Sequence, residues 1–255
     1  MRALWSIAWK DFRTLVTSPI FFLTTAICTA IWSFNFLRAV SRFSQMSSMP
    51  PQFRQGQSLN IHYHLFVDHI SLINLIFIFA IPAITMRLIS EEKKSGTYGL
   101  LLTSPITATS IAVGKFLAGF LVSLVLIGVA FLYPLGTRAF TEFSMGPLFA
   151  SFLGVCLMTA TYVAVGLFAS SLSQSQVLSV ILGILFNLIL WLMSQGSQMS
   201  DNEVLSAIFE YIHVPQQFFS FIKGTISTSA LFFFFISIGF FVFLTQRVVE
   251  SSRWR

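Results

Sequence analysis

Six long apolar runs divide this 255-residue chain and limit what it can fold into. The runs lie at residues 19–37, 70–86, 111–135, 147–172, 177–193 and 229–244. A helix needs roughly 17 to 25 apolar residues to cross a hydrocarbon core of about 30 Å. Lipid accepts only helices or closed barrels, and the alternating pattern of a barrel strand is absent here. We therefore predict an all-α integral membrane protein with six transmembrane helices.

The composition excludes a soluble domain. Hydrophobic residues make up 55% of the chain, 30 residues are Phe, and only 9% are charged. A soluble domain of this length could not bury so much apolar surface. Cys28 and Cys156 both fall inside predicted spans, where we interpret them as small packing residues and not as a disulfide. We predict one membrane domain over residues 1–255.

The basic residues are distributed unevenly between the two ends of the predicted spans. If the N-terminus is cytoplasmic, the inner side contains ten of the 15 Lys and Arg residues. These ten are Arg2, Lys10, Arg13, Arg87, Lys93, Lys94, Lys115, Arg247, Arg253 and Arg255. With four acidic residues this side has a net charge of +6, whereas the outer side has five residues of each sign. The bias predicts cytoplasmic termini and contact with anionic lipid, and it argues against a nucleic-acid partner.

Residues 1–18 predict an amphipathic helix that lies in the headgroup layer. Its apolar positions are Trp5, Ile7, Trp9, Phe12 and Val16, and they alternate with Arg2, Lys10, Asp11 and Arg13. Tryptophan side chains favour the membrane interface, and the charges exclude a cleavable signal peptide. A plain membrane anchor is the alternative interpretation of this segment.

The connections between the runs differ in length and composition. About thirty residues around SQMSSMPPQFRQGQS follow the first run, and we expect a loop without a core of its own. The outer segment 194–228 contains an amphipathic stretch at 204–212 and a group of Phe residues, which predict short helices on the outer face. Only residues 173–176 join the fourth and fifth runs, which predicts a tight antiparallel hairpin.

Most signs of catalytic or binding chemistry are missing from the sequence. Gly114-Lys115 lacks both the upstream Gly and the following Ser or Thr of a phosphate-binding loop, so we predict that this chain does not bind ATP itself. The deepest polar residues in the spans are Asn74 and Asn187, which we interpret as hydrogen-bonding partners between helices.

A cluster of histidines is the best metal candidate in the sequence. His62, His64, Asp68 and His69 fall in an expected flexible outer loop without an organised set of ligands, so we predict no metal site. No Ser or Cys has a base at an interpretable spacing, which argues against an intramembrane hydrolase.

One charged segment, RLISEEKKSG at residues 87–96, stands between two apolar runs. We expect its acids to open a short helix and Gly96 to allow the turn that ends it. Pro105 then falls near the start of the next helix, where a missing N–H costs little. This segment within 87–110 predicts a cytoplasmic element that a soluble protein can bind; a merely solvated loop is the alternative.

These residues resemble the type-2 ABC-transporter permeases, and within them the gliding-motility-associated bacterial subunits. The resemblance covers essentially the whole chain and is carried by WKDFRTLVTSPIFF, by ISEEKKSGTYGLLLTSPITATSIAVGKF and by the ending from QQFFSFIKG onward. Relatives usually have an acidic residue directly after a sequence like Gly96-Thr97-Tyr98, but this chain has Gly99 there. A role for that acidic residue therefore cannot be assigned to this chain.

The resemblance implies a non-catalytic permease subunit of the bacterial inner membrane. It implies an ATPase formed by two separate subunits, which would bind ATP and Mg²⁺, and a second permease subunit. That second subunit is either a different chain with an extracytoplasmic domain or another copy of this one. The implied coupling helix that contacts the ATPase comprises Glu91, Glu92, Lys93, Lys94, Ser95, Gly96, Thr97 and Tyr98.

Other functions are consistent with parts of the sequence. An autonomous secondary transporter or channel would need buried ionisable residues or broken-helix sites, which the runs do not show. A non-transporting component that passes ATP-driven motion to envelope or motility machinery would use the same coupling loop as an exporter. The sequence does not identify a substrate.

Overall fold

The computed structural model describes residues 2–50, 60–196 and 214–253, and this part of the chain is helical without a strand. The helices are α1 Arg2–Val16, α2 Pro19–Ser48, α3 Val67–Thr85, α4 Arg87–Lys94, α5 Tyr98–Thr103, α6 Ala108–Gly136, α7 Met145–Leu172, α8 Gln176–Gly196, α9 Val214–Ile222 and α10 Thr228–Ser251. A π-helical turn, His62–Phe66, leads into α3, and a 3₁₀ turn, Thr137–Ala139, follows α6. The predicted all-α class is confirmed.

Five helical segments are long and apolar enough to cross a membrane. Within the part of the chain that the structure describes, they are Pro19–Ser48, His62–Lys94, Ala108–Ala139, Met145–Leu172 and Thr228–Ser251. The apolar stretch Gln176–Leu192 of α8 is shorter, at about 26 Å for a rise of about 1.5 Å per residue. Five of the six predicted spans are therefore present by length and composition, and the sixth stays a prediction.

Local sequence signals set several of the helix ends. The Ser18 hydroxyl accepts a hydrogen bond from Phe21 N at 3.3 Å, and Pro19 occupies the first turn of α2, where its missing N–H costs little. Thr107 caps α6 in the same way through Ser110 N at 3.2 Å. At its other end α2 stops at Ser48. The next residue, Met49, precedes Pro50, and the proline ring disfavours helical backbone angles at the residue before it.

The connection after the first span, which we expected on the outer side, is more helical than predicted. α2 continues to Ser48, well beyond residue 37, because no Gly or Pro interrupts the chain before Pro50 and Ala39 still packs into the core. His62, His64 and His69 also lie in helix, so the expectation of a flexible loop around them is wrong. Residues 51–59 fall outside the described part of the chain.

The helix at the centre of the bundle is α7. In the most apolar 18-residue stretch of α7, 78% of the residues are buried, whereas 22% are buried in the corresponding stretches of α2 and α10. α7 packs against α3, α6, α8, α9 and α10. Large apolar side chains on α2, α8 and α10 are exposed, as expected for helices that face lipid or another subunit. They include Phe22, Ile27, Phe34, Ile181, Leu185, Ile189, Phe232, Phe235 and Phe240.

The shorter connections agree with the sequence. α7 ends at Leu172 and α8 begins at Gln176, which confirms the tight hairpin. Cys28 and Cys156 are free thiols within helices, so the interpretation as packing residues holds. Of the predicted outer helices, α9 is present, and the stretch 204–212 lies outside the described residues.

Close packing of α7 on α3 depends on Gly166. A Cβ atom there would lie 2.1 Å from Thr85 Oγ1 and 3.1 Å from Thr85 Cβ. We expect Gly166→Ala to lower the free energy of unfolding by about 1–3 kcal/mol through overpacking. The measurement is the thermal midpoint of the purified protein in detergent.

The matched control is Gly128→Ala on α6, because a Cβ atom at Gly128 has nothing within 4 Å. This change should leave the midpoint unaltered or raise it slightly, since Ala favours helix over Gly by up to about 1 kcal/mol. Equal midpoints for the two variants would show that the approach of α3 to α7 is not tight.

Candidate functional site

The charged segment singled out by the sequence forms two short helices, α4 and α5, joined by residues 95–97. Gly96 has φ +74°, a left-handed conformation that residues with a side chain rarely adopt. The predicted role of Gly96 in this turn is therefore confirmed. We refer to α4, the turn and α5 together as the coupling element, after the role that the resemblance to the permease family predicts for this segment.

The prediction that the acids open the short helix is wrong. α4 begins at Arg87, and its first turn contains no acidic residue. Glu91 and Glu92 lie one turn further along and do not meet the positive end of the helix dipole. α4 begins early because it nearly continues α3, from which a one-residue interruption at Met86 separates it.

The base of the coupling element is built around a buried lysine, Lys115 on α6, whose side chain is 1% exposed. Its Nζ donates to Asp11 Oδ2 at 2.9 Å and to the backbone oxygen of Leu88 at 2.6 Å, and lies 2.9 Å from Glu92 Oε1. An ammonium group has three N–H donors, so these three oxygens match it. The ion cluster of Lys115, Asp11 and Glu92 thus joins α6 to both α1 and α4.

Lys10 adds a second cation at the edge of this cluster. Its Nζ lies 3.8 Å from Asp11 Oδ1 and 3.7 Å from Glu92 Oε1, and its side chain is largely exposed. Two cations and two carboxylates leave the group with no net charge. A cavity of about 190 Å³ opens beside it, bounded also by Arg87 and Glu91. The buried Glu92 Oε2 has no hydrogen-bond donor in the described part of the chain.

Sequence reasoning missed the pairing of Lys115. It counted Lys115 among the cytoplasmic cations and Asp11 among the polar residues of an interfacial helix. The available signal was the position of Lys115 about two turns into α6, surrounded by apolar residues. A lysine placed there needs a partner from another helix, because an unpaired buried charge costs several kcal/mol.

Glu91 is engaged within α4 itself. Arg87 Nε donates to Glu91 Oε2 at 2.8 Å, and an Arg87 terminal nitrogen donates to Glu91 Oε1 at 2.6 Å. This bidentate geometry is the strong form of an arginine–carboxylate pair. The two adjacent acids therefore differ, since Glu92 faces the bundle and Glu91 lies at the rim of the cavity.

A serine from α7 binds the break between α3 and α4. Pro82 in α3 has no N–H to donate, and one turn later the helix is interrupted at Met86. Ser170 Oγ accepts from the backbone N of Ile89 and of Ser90, each at 3.0 Å, and donates to the Met86 oxygen at 2.7 Å. α4 is thereby attached to α7 as well as to α6 and α1.

Two further residues of the predicted coupling helix have partners inside the protein. Lys93 Nζ donates to the backbone oxygen of Ser171 and lies 5.2 Å from the centre of the Tyr98 ring. Tyr98 is buried, and burial raises the pKa of its phenol. Near α5, Arg253 donates to the Ile106 oxygen, which joins the end of α10 to the segment before α6.

The tip of the coupling element is exposed. Its exposed residues are Lys94, Ser95, Gly96, Thr97, Gly99, Leu100 and Thr103. Leu100 is 73% exposed, one of the highest values among the large apolar side chains of the described residues. The element therefore combines a buried, hydrogen-bonded base with an uncovered tip.

The two asparagines of the predicted spans differ in their contacts. Tyr162 donates to Asn74 Oδ1 at 3.0 Å, which confirms the predicted link between helices. Asn187 is buried, and neither atom of its amide has a hydrogen-bond partner among the described residues, so its predicted link is not found.

The histidine candidates also sit against backbone. His62 Nε2 contacts the Ile222 oxygen at 2.7 Å and His69 Nε2 the Ala130 oxygen at 3.0 Å. Residues 2–50, 60–196 and 214–253 contain no group of three or more His, Cys, Asp or Glu that could hold a metal.

Removing Lys115 tests the ion cluster. Lys115→Met leaves Asp11 and Glu92 buried without their shared cation, which should cost about 3–5 kcal/mol. We expect a lower thermal midpoint in detergent and faster proteolysis at α1. The control Lys94→Met, at an exposed position, should change neither.

A triple variant separates charge from packing. Asp11→Asn with Glu92→Gln and Lys115→Met removes the three buried charges of the ion cluster at once and should recover part of the stability lost in Lys115→Met. If the triple variant is as unstable as the sum of its single changes, the three charges do not act together.

Comparison with known proteins identifies the family. A family model described as ABC-2 family transporter protein matches residues 5–223. No curated protein matches the chain significantly. The family match covers more than half of the chain, so the protein belongs to the ABC-2 transporter family and is a multi-pass membrane permease component of an ABC transporter. Such components are generally non-catalytic and work with an ABC ATPase.

Proposed function

We propose, from this membership of the ABC-2 family, that the chain receives the movement of separate ATPase subunits through its coupling element. The observation that carries the proposal is the exposed tip around Leu100 on a base of buried ionic and hydrogen-bonded contacts. A partner that covered the tip would remove the Leu100 side chain from water, which favours binding. Because the base of the element is held by these contacts, a displacement of the tip would be transmitted to the helices of the bundle.

The residues of the coupling helix divide into two groups under this proposal. Lys94, Ser95, Gly96 and Thr97 are exposed and would contact the ATPase, together with Leu100. Glu91 would contribute at the rim, where its side chain is 39% exposed.

The other members of the predicted set would position this tip. Glu92 and Lys93 have partners inside the bundle, and Tyr98 is buried. In addition, the buried Glu92 Oε2 beside the cavity would accept a hydrogen bond from a donor group of the ATPase.

The mechanism follows from the attachments of α4. Two ATPase subunits would bind ATP and Mg²⁺ and close on each other, which would move the tip of the coupling element. α4 would pass this movement to α3 through Met86 and to α6 through Lys115. Helix movement against helix in lipid is favoured where small residues allow close packing, as Gly166 does between α7 and α3.

The complete transporter would contain a second permease subunit, since one bundle provides only half of a pathway. The resemblance to the gliding-motility-associated subgroup favours a different chain with an extracytoplasmic domain, and a second copy of this chain is the other arrangement. α8 would be the sixth span, with both termini on the cytoplasmic side of the bacterial inner membrane.

The output of the cycle would be either export or mechanical work on envelope or motility machinery. An autonomous transporter is disfavoured, because the paired charges of the ion cluster lie about two turns from the start of α6, next to the coupling element, and not in mid-span. The exposed apolar faces of α2, α8 and α10 would contact lipid and the second permease.

Leu100→Asp tests ATPase binding. Loss of a buried Leu contact of roughly 1.5–3 kcal/mol should reduce recovery of the ATPase with the tagged permease by about tenfold or more. Thr109→Asp is the control, because Thr109 is exposed in the first turn of α6, where a negative charge is tolerated. Both variants should have the wild-type thermal midpoint. Equal ATPase recovery with Leu100→Asp would contradict the proposed contact.

Single cysteines test the orientation. In a variant with Cys28 and Cys156 replaced by Ala, Lys94→Cys should react with a membrane-impermeant maleimide only from the cytoplasmic side. Tyr63→Cys, which is exposed at the other end of the bundle, should react only from outside. Labelling of position 63 from the cytoplasmic side alone would overturn the topology.

A further inference from the structure

We propose that Ser170 is a positioning residue that passes movement of α4 to the hairpin of α7 and α8. This inference rests on the proposed function and adds a third route into the bundle beside α3 and α6. Its starting point is the place of one buried hydroxyl at the break between α3 and α4.

Ser170 does for α4 what an N-cap residue normally does. The first four N–H groups of a helix lack partners inside the helix, and Ile89 N is the last of these four in α4. Ser90 N follows it directly, and both donate to Ser170 Oγ. Met86, the residue at the cap position, supplies no side-chain hydrogen bond. The hydroxyl that accepts from both N–H groups instead comes from a different helix, about eighty residues along the chain.

The same hydroxyl also binds the other side of the break. Ser170 Oγ donates to the Met86 oxygen at 2.7 Å, so one atom bridges the last residue before α4 and two N–H groups within it. Ser170, Ile89 and Ser90 are all fully buried. Water therefore does not replace these contacts when α4 moves, and α4 must take Ser170 with it or leave polar groups unpaired.

A second contact lies directly beside the first. Lys93 Nζ, one turn along α4, donates to the backbone oxygen of Ser171. Both attachments thus fall in the last turn of α7, which ends at Leu172 and is followed at once by the tight connection to α8. Displacement of α4 would act on the end of the hairpin.

The break is also closely packed on its other side. A Cβ atom added at Gly183 on α8 would lie 3.0 Å from Pro82 Cβ. α8 therefore meets α3 just before the break through Gly183, and α7 meets α3 there through Gly166. α7 also meets α4 just after the break, through Ser170. A change in the angle between α3 and α4 at Met86 would therefore displace contacts of both α7 and α8.

The experiment uses the complete transporter, co-expressed with its ATPase subunits and placed in lipid nanodiscs. Spin labels at Gln174, in the exposed α7–α8 connection, and at Thr109, at the start of α6, report how the hairpin moves against α6. Distances are measured without nucleotide and after trapping with ATP and vanadate. In the wild type we expect the distance distribution to shift on trapping.

Ser170→Ala should keep ATP turnover and ATPase recovery but lose this shift. Ser171→Ala is the matched control, because Ser171 is an equally buried neighbour whose hydroxyl donates to Phe168 of its own helix. It should shift like the wild type. A cap that only stabilised α4 would change the thermal midpoint and leave the shift intact, and that result would overturn the proposal.

Two further outcomes are distinguished by the design. If Ser170→Ala does not assemble, Ser170→Cys retains the volume with a much weaker hydrogen-bonding group, and an undiminished shift in that variant overturns the proposal. If the wild-type complex hydrolyses ATP without any shift at the hairpin, the third route is absent even if Leu100 binds the ATPase. Failure of the ATPase to bind at all would instead overturn the proposed function.

Discussion

The arrangement at the base of the bundle depends on one buried ammonium group. Lys115 sits on an apolar helix, where its charge is tolerated only if its three N–H donors are satisfied. The oxygens that satisfy it come from Asp11 on α1 and from Leu88 and Glu92 on α4. The requirement of a single side chain thus brings α1 and α4 together at one point on α6. Because α1 and α4 both contribute, neither can leave α6 without exposing an unpaired charge.

Hydrogen bonding at the break between α3 and α4 adds a second constraint. The interruption at Met86 leaves backbone groups that lie too deep to be solvated, and Ser170 is a partner of Met86 O, Ile89 N and Ser90 N. α4 is consequently bound to α6 by charge and to α7 by hydrogen bonds. Since α7 is the most buried helix of the described chain, the coupling element is attached to the part of the bundle with the most neighbours.

The sequence predicted those features that depend on local pattern. Long apolar runs, the short connection after Leu172 and the turn at Gly96 each follow from a few adjacent residues, and the structure confirms them. The partners of Lys115 and Ser170 lie far away along the chain, so no local pattern marks them. The same limit applies to the histidines, since the side chains of His62 and His69 contact the backbone oxygens of Ile222 and Ala130, far away along the chain. The two acids were assigned one role because they are adjacent, yet successive residues of a helix point in different directions.

This difference between the acids changes how the charged segment is understood. Charge concentrated in an apolar chain suggested a surface that a soluble protein would bind, but Arg87, Glu91 and Glu92 largely pair with groups of the same chain. What remains uncovered at the tip is mostly uncharged, with Leu100 as its largest apolar group. An ordered element loses less conformational freedom when it binds than a solvated loop does. The charges would therefore serve binding indirectly, by fixing the shape of a tip that contacts its partner mainly through other residues.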